Sequence, residues 1–145
     1  MRFWDSSAVV PLVVEQSSSR EAERWIADDP VAVVWTLVRV EVVSALRRLV
    51  REEGLIESEA HRAESVLDEI LVRAHTVADV ERVEETACRL LRVHALRAAD
   101  AMQLGAALAW ADGSPRGLVV HTLDRRLALA AGREGFAVQG GAPEP

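Results

Sequence analysis

At 145 residues, half of them hydrophobic and 28% charged, the chain has the makeup of one globular domain and not of a disordered segment. Its seventeen basic residues are all arginine, which excludes P-loop, Schiff-base and receiver-type lysine chemistry, and its single cysteine, Cys88, excludes a disulfide framework or a thiolate zinc cluster. A net charge of −6 argues against sequence-independent wrapping of nucleic acid, but not against a nuclease, whose carboxylates are acidic until bound cations reverse the local sign.

No run approaches the roughly 20 apolar residues that span a bilayer. Met1 to Val14 is interrupted by Asp5 and lacks the small-residue cleavage site of a signal peptide. The expectation is a cytoplasmic protein with no membrane partner.

In chain order, Phe3-Trp4 reads as a strand end. Ser6 and Ser7 can cap a helix over Ala8 to Val14, with Pro11 tolerated only near a first turn. Ser18-x-x-Glu21 is a capping-box pattern opening a helix to about Ala27. Val31 to Trp35 is a β-branched run of the buried parallel-strand type. Thr36 can cap a long helix that ends at Gly54, with Val38, Val42, Ala45, Leu46 and Leu49 on its buried stripe and Glu41 and Arg48 on its edge. A helix from Ser58 to about Arg73 follows, then a short strand His75-Thr76-Val77, then a helix over Val80 to Val93 capped by Asp79.

Arg97 to Trp110 is alanine- and leucine-rich and apolar all round, the pattern of a buried central helix. One carboxylate, Asp100, sits within it, and a buried ionised carboxylate costs several kcal/mol or more unless something satisfies it. Leu118 to Thr122 is a strand, Asp124 begins a helix to Ala131 that Gly132 ends, and Phe136-Ala137-Val138 is a final edge strand. The domain is expected over residues 1–138, with 139–145 as a tail.

Strands alternating with helices imply an α/β fold with a mostly parallel sheet covered on both faces. Ligands of such sheets bind beyond the carboxyl ends of the strands, where strand order reverses. Asp5 and Asp124 follow strands and sit at that edge, and Glu41 and Asp100 project from helices. Four converging acids resist ionising together, and a hard divalent cation such as Mg²⁺ or Mn²⁺ is the natural remedy. Such a site activates water and stabilises both oxygens of an in-line phosphoryl displacement, as in a metal-dependent nuclease.

The chain resembles the PIN-domain ribonucleases, specifically the VapC-type toxins of bacterial toxin–antitoxin pairs. The resemblance runs from about Arg2 to Phe136. It rests on Asp5-Ser6-Ser7, on Glu41 within Val40 to Arg48, on Asp100 within His94-Ala95-Leu96-Arg97-Ala98-Ala99-Asp100-Ala101, and on Thr122-Leu123-Asp124 with Leu127 through Ala131. Gly105 departs from the alanine that many relatives carry in the buried helix. The resemblance implies a single PIN-like domain with a parallel five-stranded sheet sandwiched between helices. It also implies cleavage of single-stranded RNA with Mg²⁺ or Mn²⁺, a homodimer, and a small cognate antitoxin as partner.

On this reading Asp5, Glu41, Asp100 and Asp124 are the catalytic acids, Asp5 and Asp100 hold the metal, and Ser7 and Thr122 are accessory. Each has a plainer reading: Asp5 and Asp124 as helix caps, Glu41 paired with Arg48, Asp100 paired with Arg97, Ser7 and Thr122 as capping and packing residues. His94 and His121 are expected in or near the core and Cys88 as an inert buried residue. Arg97, Arg125 and Arg126 are candidate phosphate contacts. A catalytically silent scaffold of the same fold is the alternative function. Aspartyl-phosphate transfer is opposed by Ser7 and by the absence of lysine. Apolar helix surface around Trp25, Val43, Leu46 and Val50 is the expected docking face for a second copy and for the antitoxin.

Overall fold

The computed structural model describes residues 1–141. Its elements are β1 (Arg2–Trp4), α1 (Ser6–Val13), α2 (Ser19–Asp28), β2 (Ala32–Trp35), α3 (Val38–Arg51), α4 (Glu57–Arg73), β3 (His75–Val77), α5 (Val80–Val93), α6 (Ala98–Trp110), β4 (Val119–His121), α7 (Arg125–Glu134) and β5 (Ala137–Gln139). All strand pairs are parallel, in the order β3-β2-β1-β4-β5.

The pleat sorts the strand side chains into two cores. Phe3, Val33, Trp35 and Val120 face α5, α6 and α7 through Val83, Leu90, Leu104 and Leu127. Trp4, Ala32 and Val34 face α1 to α4 through Val9, Trp25, Val42, Leu46 and Leu67. Trp4, Trp35, Leu46 and Leu104 are fully enclosed, and burying each such side chain stabilises the fold by about 1.5–3 kcal/mol. The expected sandwich of helices around a parallel sheet is what the chain forms.

α5 and α6 pack closely at Gly105. A Cβ on Gly105 would stand 2.9 Å from the Val83 carbonyl oxygen, so glycine at this position lets the two helix backbones approach. The departure from alanine therefore has a packing reason.

Several boundaries differ from the sequence expectation because caps depend on backbone geometry. Asp5, with extended backbone, caps α1, so the helix starts at Ser6 and leaves Pro11 inside it. Ser18 has helical φ and ψ of −87° and −3° and makes no cap bond, so the capping box does not form. Ser19 instead ties the α1–α2 turn, donating to the Pro11 carbonyl and accepting from the Gln16 amide, both at 2.8 Å. Thr36 does not cap α3, because its amide still extends the sheet to the Val77 carbonyl. Glu53, not Gly54, takes the left-handed conformation after α3, and α7 runs through Gly132 to end at Gly135.

Cys88 is exposed, contrary to expectation, since it lies on the outer side of α5 away from Val83, Ala87 and Leu90. Trp25 and Leu46 are 8% and 0% exposed, so the expected docking face is largely consumed by the core. Exposed apolar side chains instead include Leu37, Val40, Val72, Leu91 and Val93. Among the described residues no helix is long and apolar enough to cross a membrane. β5 takes in Gln139, the first residue of the expected tail, and residues 142–145 lie outside the described residues.

Candidate active site

The chain steps outward from β1 to β2 and β3, then crosses back to place β4 on the other side of β1. The reversal opens a crevice beyond the carboxyl ends of β1 and β4. Asp5 follows β1 and Asp124 caps α7 just after β4. Glu41 stands in the first turn of α3 and Asp100 in the first turn of α6. These four acids, from four separate stretches of chain, line one cleft of ≈ 480 Å³ together with Ser6, Ser7 and Arg48.

Asp5 is the buried floor of this cleft, 4% exposed. Its Oδ2 accepts from the Ser7 amide at 3.3 Å, from the Ser7 hydroxyl, and from the Thr122 hydroxyl at 2.9 Å. Both hydroxyls are oriented for this. Ser7 Oγ accepts from the Leu123 amide at 2.8 Å and Thr122 Oγ1 from the Asp124 amide at 3.1 Å, so their protons are left for Asp5. Oδ1 meets only the Ser6 hydroxyl, at 3.3 Å, while Glu41 Oε2 receives that hydroxyl at 2.8 Å. One carboxylate oxygen is thus gripped, and the other keeps its accepting capacity.

Glu41 does not pair with Arg48. Its Oε2 accepts from Ser6 and, at 2.9 Å, from Nε2 of Gln103. Asp100 forms no ion pair with Arg97; its Oδ2 accepts from the Arg97 backbone amide at 3.3 Å. Asp124 Oδ1 accepts from the Leu127 amide at 2.8 Å, so it caps α7 while lining the cleft. The plain capping readings of Asp5 and Asp124 are therefore true alongside their place in the crevice. Gln103 and Ser6 were missed as site residues. A polar side chain one turn after Asp100 in an otherwise apolar helix was the available signal for Gln103.

His94 and His121 do not line the acid cleft. His121 is enclosed, stacked against Trp25 and tilted against Trp4 with ring centroids 4.5 Å away in each case, and neither ring nitrogen has a partner among the described residues. Burial pushes its pKa down to about 4, so the ring is neutral. His94 Nε2 lies 2.7 Å from Glu134, which also takes Arg89.

The cleft is short of positive charge. Burial raises Asp5 above the usual carboxylate range against its hydrogen bonds, and the charge of Asp100 adds to the rise. Burial likewise raises Glu41, opposed by Gln103 and Ser6 and reinforced by Asp5 and Asp100. Asp100 is raised by burial and by Asp124, with partial relief from Arg97 and Arg126. Among the described residues no three His, Cys, Asp or Glu side chains form a ready-made metal cage. The donor set is nonetheless all oxygen, and Mg²⁺ is commonly held by one or two carboxylates plus water and substrate phosphates. An open cleft of carboxylates that repel one another, with unsaturated oxygens such as Asp5 Oδ1, fits that mode.

Comparison with known proteins agrees with this arrangement. The PIN domain family profile matches residues 2–133. The chain is 38% identical over 137 residues to Ribonuclease VapC45 of Mycobacterium tuberculosis (strain CDC 1551 / Oshkosh), covering 94% of this chain and 92% of that one. Ribonuclease VapC49 of M. tuberculosis (strain ATCC 25618 / H37Rv) matches with the same identity and coverage. In fold, the chain is similar to FitAcB from Neisseria gonorrhoeae, with a TM-score of 0.65 at 17% identity, covering 97% of this chain and 98% of that one. It is also similar to M. tuberculosis VapC20, a sarcin-ricin loop cleaving toxin, with a TM-score of 0.63 at 20% identity, covering 90% and 95%. From the acid-lined crevice, the matching profile and the close relatives together, the chain belongs to the PIN domain family, among its VapC ribonucleases.

Proposed function

We propose that this protein is a Mg²⁺- or Mn²⁺-dependent endoribonuclease that cleaves single-stranded RNA and serves as the toxin of a toxin–antitoxin pair. One observation carries the reading: Asp5, Glu41, Asp100 and Asp124, far apart in sequence, line a single cleft at the switch point of the sheet. The name ribonuclease borne by two relatives supports RNA as the substrate class.

Asp5 and Asp100 would hold the divalent ion, which when bound would neutralise charge on the scissile phosphate and ease deprotonation of water. Ser7 and Thr122 fix the Asp5 carboxylate by its Oδ2, so its Oδ1 needs no reorganisation to face a cation. Glu41, restrained by Ser6 and Gln103 through Oε2, offers Oε1 to orient the attacking water. Asp124 spends one oxygen on the α7 cap and keeps the other for the cleft. Arg48 on the cleft wall, with Arg97 and Arg126 beside Asp100, supplies cations for the flanking phosphates. A cytoplasmic location, a homodimer and a small antitoxin covering exposed apolar surface complete the proposal. The silent-scaffold alternative has no feature of the cleft in its favour.

Incubating the purified protein with an end-labelled single-stranded RNA, with Mg²⁺ and with a chelator, tests the reading. Internal cuts confined to the Mg²⁺ sample support it, and intact RNA in every divalent metal contradicts it. Co-expression with the product of the neighbouring reading frame tests the antitoxin; failure of the two to co-purify counts against that partner.

A further inference from the structure

Beyond Asp100 in its first turn, α6 carries a second polar side chain, Gln103, deep in an otherwise apolar helix, and it is 1% exposed. It does not line the cleft. Its Nε2 reaches forward to Glu41 Oε2 at 2.9 Å, while its buried Oε1 has no hydrogen-bond partner among the described residues. An orphaned buried carbonyl is a cost that an apolar side chain of the same shape would not impose. A buried amide with one end bonded to an acid of the cleft and the other end unmet is suited to holding that acid, not to filling the helix interface.

The geometry points to Gln103 as a positioning residue that locks the Glu41 carboxylate in place across the α3–α6 boundary. The inference rests on the ribonuclease reading. Ser6 approaches the same Oε2 from α1 at 2.8 Å, so two donors from two helices fix one oxygen of Glu41, and among the described residues its Oε1 has no hydrogen-bond donor. The amide orientation follows from charge, since only the NH2 side can meet an ionised carboxylate. Glu41 is in the first turn of a helix, so without this contact its side chain can swing within the cleft while the backbone stays put. Asp100 sits one turn before Gln103 on the same helix, and α6 thereby sets the spacing of Glu41 and Asp100 together.

Gln103→Met tests this by removing the donor and keeping the shape. Its kcat on single-stranded RNA with Mg²⁺ is expected to fall roughly 10–100-fold, the usual effect of losing a partner behind a site ligand, with KM unchanged. Its Tm is expected to stay within about 3 °C of the wild type, because the unmet carbonyl and the bond to Glu41 are removed together and their effects on stability offset. In a Glu41→Gln background the same substitution is expected to change residual kcat less than about twofold, since Gln103 acts through Glu41. Unchanged kcat in Gln103→Met, a Tm loss that accounts for the lost activity, or full additivity with Glu41→Gln would each overturn the inference. If the wild type cleaves no RNA, the ribonuclease reading fails, and that outcome is distinct from a cleaving wild type matched by Gln103→Met.

Discussion

Asp5→Asn separates the charge of the cleft floor from its shape. The asparagine carbonyl can take the place of Oδ2 and keep its three donors, from Ser7 twice and Thr122 once, while the new amide faces the Ser6 hydroxyl. The buried charge costs about 4 kcal/mol after relaxation. Three hydrogen bonds to an ion, each about 1 kcal/mol stronger than to a neutral oxygen, recover about 3 of that. The Asp100 charge worsens the balance, so the variant should gain about 1–2 kcal/mol without metal, or a Tm rise of about 3–6 °C for a chain of this size. With Mg²⁺ at tenfold its Kd the gap between the two narrows. The wild type gains about 1.4 kcal/mol, or about 4 °C, by mass action, while the variant gains under about 1 °C because the ion has lost a charged ligand. Thermal melts in chelator and in Mg²⁺ read both effects. A variant that melts below the wild type in chelator, or that gains as much from Mg²⁺, would refute the reasoning.

Other expectations follow from the packing and the titrating groups. Gly105→Ala should destabilise by about 1–2 kcal/mol, because forcing a Cβ against a rigid carbonyl 2.9 Å away costs more than the helix propensity of alanine returns; a Tm at or above that of the wild type would contradict the close α5–α6 contact. His121, whose pKa is lowered to about 4, contributes stability that is present above its ordinary value of 6.5 and is lost as pH falls through 6.5 toward 4. His121→Phe should therefore be more stable relative to wild type at pH 5 than at pH 7.5, as judged by urea melts. Asp5, Glu41 and Asp100 act in the opposite sense, since their raised values make the metal-free fold less stable as pH rises past the ordinary carboxylate range. Added Mg²⁺ should reduce that loss at pH 7.5, and an unchanged pH slope in Mg²⁺ would count against metal binding by these acids.

Much of the architecture was legible because it depends on local chemistry. β-branched runs marked β2 and β4, and the non-helical backbone from which Asp79 and Asp124 cap their helices is what these residue types favour. Asp5 and Asp124 could be placed by following β1 and β4 to their carboxyl ends, and Glu41 and Asp100 as acids within or beside apolar helix faces. Helix ends were harder. Whether Ser18 caps α2, or Glu53 and not Gly54 turns left-handed, is decided by φ and ψ that neighbouring elements impose. Which apolar faces remain exposed was also hidden, because Trp25 and Leu46 are covered by elements distant in sequence. The contact of Gln103 with Glu41 joins residues on two helices, and no spacing rule predicts such a pair.

The central claim is that the four-acid cleft cuts RNA with a divalent ion held at Asp5 and Asp100. The most direct measurement compares wild type with Asp100→Asn on one end-labelled single-stranded RNA across a Mg²⁺ or Mn²⁺ titration, with calorimetry of the ion on both proteins. The wild type should bind the ion and make internal cuts that saturate with it, and the variant should lose both while keeping its fold. Cleavage by Asp100→Asn at the wild-type rate, or wild-type cleavage undiminished in chelator, would contradict the account.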